Sequence, residues 1–242
     1  DFDHGGTRNL ASGSVNGDIL VFLSQDALPF NEHSVRNLIE PFDDPEVGAA
    51  FGRQLPKPDA SPFGVHLRLF NYPEDPCTKS MADQRIFGIK TPFLSNSFAA
   101  YRKSALDRIG GFRDRLILGE DTYAGAKLLL AGYKIAYASG ALVYHSHDYT
   151  AFQEFKRYFD IGVFHEQEGW IIDEFGRAEG EGMNYMKSGA AFLMQTGKKR
   201  LLPEFVVRSG LKYLGYNMGR KYNHLPGWLR KRMSMHRDWW IR

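Results

Sequence analysis

The chain has 242 residues, of which 43% are hydrophobic and 24% are charged, a composition typical of a globular protein and not of a disordered or collagen-like chain. No apolar run comes close in length to the roughly 20 residues that a membrane-spanning helix needs. Cys77 is the single cysteine. An intramolecular disulfide framework is therefore excluded, and a reducing, cytoplasmic location is expected.

The net charge of +3 hides an asymmetry along the chain. Residues 198–242 contain 12 Lys or Arg and two acidic residues, a net charge of +10, whereas residues 1–197 carry a net charge of −7. Basic residues mixed with Trp228, Trp239 and Trp240 suit an anionic membrane surface, and they also suit nucleic acid or a phosphorylated ligand. A solvated basic face on helices that pack against the main domain is the simpler alternative.

The first half of the chain alternates helices with strands. Thr7 or Asn9 is expected to cap a helix that ends at Gly17. The apolar run Ile19–Leu23 then predicts a strand that is buried on both faces. A helix at 31–42 and a strand at 47–55 follow, and the proline-rich stretch 56–92 predicts a long surface loop with room for one helix.

The second half continues the alternation up to a helix that begins at the capping box Thr150-x-x-Gln153. Before that helix, the predicted strands are 93–102, 133–138 and 141–147, and the predicted helices are 103–112 and 118–131. Alternating strands and helices predict an α/β domain with a largely parallel sheet. In such a sheet, ligands bind at the carboxyl ends of the strands.

Two positions near the start of the chain are candidates for a phosphate or metal site. Asp26 comes just after the strand at 19–23, where it is a candidate ligand for Mg²⁺ or Mn²⁺, ions that take oxygen ligands and share them with substrate phosphates. The alternative is a turn aspartate that bonds the local backbone. Arg8 is a candidate either to meet a phosphate or to form a surface ion pair.

Two further pairs carry titratable chemistry. Glu120 and Asp121 open a predicted helix, where a carboxylate can act as general base toward a hydroxyl group, or can simply complement the helix dipole. His145 and His147 share one face of a predicted strand. One or both are candidate metal ligands, and structural histidines are the alternative.

Together these segments resemble a known family. The stretch "HGGTRNLASGSVNGDILVFLSQDALP" is similar to the middle of an inverting family 2 glycosyltransferase of the GT-A type. The stretches "PFLSNSFAAYRKSALDRIGGF", "LGEDTYAGAKLLLAGYKIAYASGALVYHSHDYT" and "FKRYFDIGVFHEQEGW" are similar to its bacterial rhamnosyltransferase branch. The resemblance runs from about residue 2 to residue 240 and implies an α/β, GT-A fold.

The resemblance implies roles for individual residues. The family's Asp-x-Asp-like motif reads Ser24-Gln25-Asp26 here, so Ser24 replaces the first acid and Asp26 alone carries over as a metal ligand. Arg8 and Ser24 are expected beside Asp26 at the sugar-nucleotide diphosphate.

The remaining roles fall on the acids and histidines further along the chain. Asp121 is the expected catalytic base and Glu120 its partner. His145 is the expected second ligand to Mg²⁺ or Mn²⁺, and His147 is a candidate for the layer of residues around the ligands.

The resemblance also implies the reaction and its partners. Rhamnose would pass from a dTDP donor to a lipid-linked saccharide in surface polysaccharide synthesis, at the inner face of the cytoplasmic membrane, and no nucleic acid is expected as a partner. A transferase of another hexose and a non-catalytic carbohydrate-binding or assembly subunit are the alternatives.

The chain departs from the family pattern at its start. Family members begin with a strand–helix–strand unit that binds the nucleotide, and here the sequence opens at "DFDHGG", after that unit would end. The expected organisation is therefore a catalytic core at 1–150 that lacks this unit, followed by a basic, helical C-terminal extension at 151–242.

Overall fold

The computed structural model describes residues 3–176 and 180–241. The predicted core and tail also include residues that lie outside the described ones, namely Asp1, Phe2, residues 177–179 and Arg242. The strands are β1 (Ile19–Leu23), β2 (Leu28–Pro29), β3 (Val47–Leu55), β4 (Cys77–Lys79), β5 (Phe98–Arg102) and β6 (Lys134–Tyr144). The helices are α1 (His4–Gly13), α2 (Ser34–Ile39), α3 (Pro62–Asn71), α4 (Gln84–Phe87), α5 (Lys103–Arg108), α6 (Glu120–Leu130), α7 (Ala151–Gln167), α8 (Gly169–Phe175), α9 (Glu181–Gln195), α10 (Leu202–Arg220) and α11 (Gly227–Met233).

The strands form one mixed sheet in the order β1-β5-β3-β6-β2, with β4 also paired to β6. Only β3 and β6 run parallel among the described pairings, because β5 runs opposite to β1 and β3, and β2 and β4 run opposite to β6. The α/β prediction is confirmed, but the expected largely parallel sheet is wrong. The segment 56–97 runs along the sheet as β4, beside the first half of β6, and then enters β5 from the carboxyl end of β3, so β5 runs opposite to β3.

Strand β6 also differs from the prediction of two strands. It is continuous and contains an irregularity where Gly52 pairs with Ala138 and the next residue, Arg53, pairs with Leu142. A bulge of this kind bends a strand without ending it. As a result, β6 ends at Tyr144, and His145 and His147 lie just beyond the strand.

Helices cover both faces of the sheet. From Ala49 onward, side chains of β3 alternate between two apolar clusters, with Ala49 and Phe51 in the larger and Ala50 in the smaller, as expected for successive residues of a strand. The larger cluster includes side chains of α5, α6, α7 and α8, and the smaller includes Leu38 of α2. Burial on both faces accounts for the apolar runs in β3 and β5. Strand β1 lies at the edge of the sheet and exposes Val21 and Leu23, so the prediction that it is buried on both faces is wrong.

Several predicted boundaries shift because side chains cap the helices elsewhere. Helix α1 starts at His4, since Asp3 accepts a hydrogen bond from the Gly6 backbone N–H at 2.7 Å. The Asn9 side chain instead bonds the backbone of Phe112. The stretch 56–92 contains α3, which Ser61 caps, together with β4 and α4, so it is more regular than the predicted loop.

Helices α7 and α10 run in parallel and pack with their backbones in contact. Gly215 faces the carbonyl oxygen of Phe155, and Gly219 faces that of Phe159, so closely that a Cβ atom on either glycine would collide with the oxygen. The capping box at the start of α7 is confirmed. This tight pairing fixes α10 against the helix that follows the histidines.

The last residues fold back onto the large cluster. The buried carboxylate of Asp160 on α7 accepts a hydrogen bond from the Met235 backbone N–H at 2.8 Å. Trp239 and Trp240 then pack, partly buried, against the cluster. For these two the structure favours packing against the main domain, and only Trp228 of the three tryptophans is exposed. Among the described residues, none of the helices combines the length and apolar character needed to cross a bilayer.

Candidate functional site

A turn after β1 places Asp26 opposite two histidines. The turn is held by hydrogen bonds from the Ser24 N–H to the Ser97 carbonyl and from the Ala27 N–H to the Ser24 carbonyl. Asp26 Oδ2 lies 3.4 Å from Nε2 of His145 and 3.7 Å from Nε2 of His147. The prediction that Asp26 and His145 lie within reach of a common ion therefore agrees with the geometry.

The two histidines lie where β6 leaves the sheet. The His145 backbone N–H donates to the carbonyl of Leu55 at the end of β3, and the His145 side chain is buried. The ring of His147 meets the His145 ring edge-on and stacks on Tyr149. His147, expected only near the ligands, thus faces Asp26 together with His145.

Gln54 determines which nitrogen of His145 is available. Arg68 Nη1 donates to Gln54 Oε1 at 2.7 Å, and since arginine only donates, the orientation of the Gln54 amide is fixed. The same oxygen lies 2.8 Å from His145 Nδ1, so this nitrogen must carry the proton. Nε2, with its lone pair, then points at Asp26.

This arrangement suits a divalent cation. Ligand atoms of Asp26, His145 and His147 all lie within 4.8 Å of one another. An unprotonated imidazole nitrogen and a carboxylate oxygen are both acceptors, so facing each other they require a proton or a cation between them. Burial, with a smaller contribution from the Arg68 charge, lowers the pKa of His145 to about 4. The proton is thus disfavoured at neutral pH, and the donor set fits a metal ion.

The acidic pair opens α6 at a position that requires glycine. Gly119 has a φ of +82°, in the left-handed region that favours glycine, and a Cβ atom there would contact the Phe164 ring. Glu120 and Asp121 follow as the first residues of the helix. The helix N-terminus favours carboxylates, which explains their local placement but not their different surroundings.

Glu120 is occupied by neighbouring side chains. Its Oε1 atom lies 2.9 Å from Arg8 Nη1 and accepts a hydrogen bond from Asn96 Nδ2 at 3.2 Å. Tyr101 donates to the other end of the Asn96 amide at 2.7 Å and fixes its orientation. Arg8, a candidate either to meet a phosphate or to form an ion pair, forms an ion pair with Glu120 and lines an adjacent cavity.

Asp121 has the properties of a proton acceptor. Its carboxylate accepts hydrogen bonds from the backbone N–H groups of Asn96 and Thr122. Burial, reinforced by the charge of Glu120, raises the pKa of Asp121 to about 6. A carboxylate with a pKa close to neutral can take a proton from a hydroxyl group more effectively than one of ordinary pKa.

Three consecutive residues before β5 join the two halves of the site. Ser95 Oγ accepts a hydrogen bond from Gln54, the Asn96 backbone donates to Asp121, and the Ser97 carbonyl accepts from Ser24. The segment 95–97 thus connects the Asp26 turn, the histidines and the acidic pair. Next to it lies a cavity of about 240 Å³, lined by His4, Thr7, Arg8, Ala11, Phe22, Leu23 and Asn96.

Sequence reasoning missed Gln54 and Asn96, the polar residues that organise the site. Gln54 is buried near the end of the mostly apolar strand β3, and Asn96 is buried just before β5. A buried polar side chain in a mostly apolar strand is a signal worth following, because burial without a hydrogen-bond partner is costly. Their partners are far away in sequence, so the sequence alone does not name them.

Comparisons with known proteins agree on one family. Residues 19–159 match the family model described as glycosyl transferase family group 2. The O-antigen chain rhamnosyltransferase RfbN of Salmonella typhimurium (strain LT2) is 45% identical over 99% of this chain and 76% of its own length. WbaN of Salmonella anatum, an O-antigen chain rhamnosyltransferase too, is 44% identical over the same shares.

A solved structure shows a similar fold. The mannosyltransferase PcManGT from Pyrobaculum calidifontis, in complex with GDP-Man and Mn²⁺, matches with a TM-score of 0.52 and 17% identity, over 98% of this chain and 64% of that chain. This likeness supports the GT-A fold. With a family model that covers more than half of the residues and relatives of 45% and 44% identity, the chain belongs to glycosyl transferase family group 2 and is a glycosyltransferase.

Proposed function

We propose that the protein transfers rhamnose from dTDP-rhamnose to a lipid-linked saccharide, with inversion at the anomeric carbon. The observation that carries this proposal is the connection of two chemically different centres, Asp26 with its histidines and Asp121, through the segment 95–97. The names of the two relatives, O-antigen chain rhamnosyltransferases, support rhamnose as the sugar.

Asp121 accepts the proton of the acceptor hydroxyl group as its oxygen attacks the anomeric carbon. A new carbon–oxygen bond forms on one face of the sugar while the bond to the diphosphate breaks on the other, and the nucleoside diphosphate leaves with the electron pair. This single displacement inverts the anomeric configuration. The ion pair with Arg8 holds Glu120 away from this role.

Asp26, His145 and His147 would hold the divalent cation. Such an ion, when bound, supplies positive charge for the departing diphosphate. Two imidazole nitrogens beside one carboxylate form a softer ligand set than Mg²⁺ prefers. We therefore assign Mn²⁺ as the better-matched ion of the two.

The charge distribution supports a place at the membrane. Residues 198–242 carry a net charge of +10, and each basic residue near an anionic bilayer contributes about 1 kcal/mol of attraction. Part of this charge is neutralised within the protein, because Arg208 and Lys212 pair with Glu154, and Arg220 pairs with Glu166. We propose that the remaining charge holds the enzyme at the cytoplasmic face, where a lipid-linked acceptor is accessible.

A mass-spectrometric screen of nucleotide sugars tests this function. The protein is incubated with Mn²⁺, a saccharide-lipid acceptor and, in turn, dTDP-rhamnose, GDP-mannose, UDP-glucose and UDP-N-acetylglucosamine. We expect a mass increase of one deoxyhexose with dTDP-rhamnose alone. Transfer of a different sugar would reject rhamnose, and saccharide binding without any transfer would point to a carbohydrate-binding subunit.

A further inference from the structure

Helix α10 has an exposed apolar face that the fold leaves uncovered. Val206 and Val207 are 55% and 59% exposed, and Tyr213 and Leu214, two turns further along, are 74% and 49% exposed. We call these four side chains the α10 outer face. Their spacing follows the helical repeat, so they form one stripe, with Gly210 between the two pairs.

The opposite side of the same helix packs against the rest of the protein. Phe205 packs into an apolar cluster with Phe63 and Leu193, and Gly215 and Gly219 lie against the α7 backbone. The charged residues Arg208 and Lys212 also point toward α7, where Glu154 pairs with both. The inner side thus already anchors the helix, so packing within the protein does not explain why the outer face is apolar.

Exposed basic residues lie beyond both ends of the stripe. The group before α10 consists of Lys198, Lys199 and Arg200, and the group after it of Lys221, Lys231 and Arg232. Trp228, 68% exposed, lies among the second group. Glu204, an acidic residue of α10, pairs with Arg208. An apolar stripe with cations around it and a tryptophan near one end is the pattern of a helix at a membrane interface.

We propose that the α10 outer face inserts into the headgroup region of an anionic bilayer, with α10 parallel to the membrane plane. The inference rests on the membrane association proposed above and names the surface responsible. A helix of 19 residues is about 28 Å long, so both basic groups can reach lipid phosphates simultaneously.

Charge favours a bilayer over a second copy of the chain. In a symmetric pair, the outer faces would bring one basic group of each copy near a basic group of the other, and like charges in contact oppose association. Anionic lipid both covers the apolar side chains and neutralises the cations. The contact should therefore require anionic headgroups and weaken as salt screens the charges.

An environment-sensitive fluorophore at Val207 tests the orientation. In a Cys77→Ser background, NBD is attached at Val207→Cys and, as the matched control, at Val35→Cys on α2, which covers the other face of the sheet. Vesicles contain phosphatidylcholine with or without 40% phosphatidylglycerol. We expect a blue-shifted, brighter emission at position 207 with anionic vesicles alone, and no change at position 35.

Vesicle co-sedimentation of variants that lack apolar side chains of α10 separates insertion of the α10 outer face from membrane association in general. Replacing Tyr213 and Leu214 with serine should weaken binding to anionic vesicles about tenfold or more, because the buried apolar area is lost, whereas Val35→Ser should bind as the parent does. Unchanged binding of the double variant, or an unshifted probe at position 207, would reject the outer face but keep membrane association. Absence of binding by the parent protein would reject both, and a probe shift that depends on protein concentration without vesicles would indicate self-association instead.

Discussion

Adjacent carboxylates at the start of α6 differ because of what surrounds each one. Arg8 and Asn96 contact Glu120 through their side chains, whereas Asp121 accepts hydrogen bonds from the backbone N–H groups of Asn96 and Thr122. Burial and the charge of Glu120 raise the pKa of Asp121 to about 6. Similar groups in different environments can thus take separate roles, one as an ion-pair partner and the other as a base.

The raised pKa predicts a pH dependence of the reaction. Only the ionised form of Asp121 accepts a proton, so kcat/KM should fall about tenfold per pH unit below pH 6. The Glu120→Gln variant removes the neighbouring negative charge, which should move this acidic limb to lower pH. His145 titrates outside this range because burial lowers its pKa to about 4. A limb that stays in place or moves upward in Glu120→Gln would contradict the assignment.

Gln54 is predicted to control metal affinity without touching the metal. Gln54→Leu removes the acceptor for His145 Nδ1–H, so the ring is free to adopt the wrong tautomer, and Mn²⁺ should bind about 10–100-fold more weakly. Gln54→Glu keeps an acceptor there and should retain most of the affinity. Isothermal titration of Mn²⁺ measures both, with the exposed Gln195→Leu as control. Equal affinities in Gln54→Leu and the parent would disprove the positioning role.

At the scale of residues, the sequence was informative where chemistry is concentrated in a motif. Asp26 and His145 were predicted to share a site, and the structure brings them within 3.4 Å. The organising contacts were not predictable, because the residues are far apart in the sequence. Gln54 contacts His145, 91 residues away, and Asn96 contacts Glu120, 24 residues away. Arg8 had two possible partners, and the choice depends on a three-dimensional approach that no local pattern encodes.

Helices α7 and α10 form the element pair on which the C-terminal half depends. Their close approach requires residues without a Cβ atom, since a Cβ at Gly219 would lie 2.1 Å from the Phe159 carbonyl oxygen. Gly210 on the same helix faces open space. The two glycines therefore offer a matched pair for measuring what the contact contributes.

Opposite effects on stability are predicted for these glycines. Gly219→Ala should lower the free energy of unfolding by about 1–3 kcal/mol, because the methyl group forces the helices apart. Gly210→Ala should raise it by about 0.5–1 kcal/mol, the helix-propensity difference between the residues. Urea unfolding measures both changes. Equal effects at the two positions would show that the helices are less closely packed than described.

Elements were predictable where burial and capping act locally. Strand β1, strand β3 and the start of α7 lie where the sequence places them, since apolar runs and the capping box at Thr150 are local signals. Strand direction was not predictable from alternation. It depends on the path of the segment 56–97, which brings the chain back to the carboxyl end of β3 before β5 begins, so β5 runs antiparallel to β3.

On the scale of the whole molecule, α10 carries the proposed membrane-binding face and also contacts the segment that bears the histidines. Arg208 on this helix donates to the carbonyl oxygen of Tyr149 at 2.8 Å, and Tyr149 stacks on His147. Contact of the α10 outer face with a bilayer would therefore fix the orientation of the site relative to the lipid. The charge asymmetry left a membrane surface and a solvated basic face both open, and only packing distinguishes the exposed Trp228 from Trp239 and Trp240.

The turnover of Asp121→Asn is the measurement that tests the central claim most directly. With Mn²⁺, dTDP-rhamnose and acceptor, the variant should lose about 10²–10⁴-fold in kcat, because the amide cannot accept the hydroxyl proton, while donor affinity stays nearly intact. Asp107→Asn, at an exposed ion pair on α5, should match the parent. Near-normal turnover of Asp121→Asn would contradict the account and place the base elsewhere.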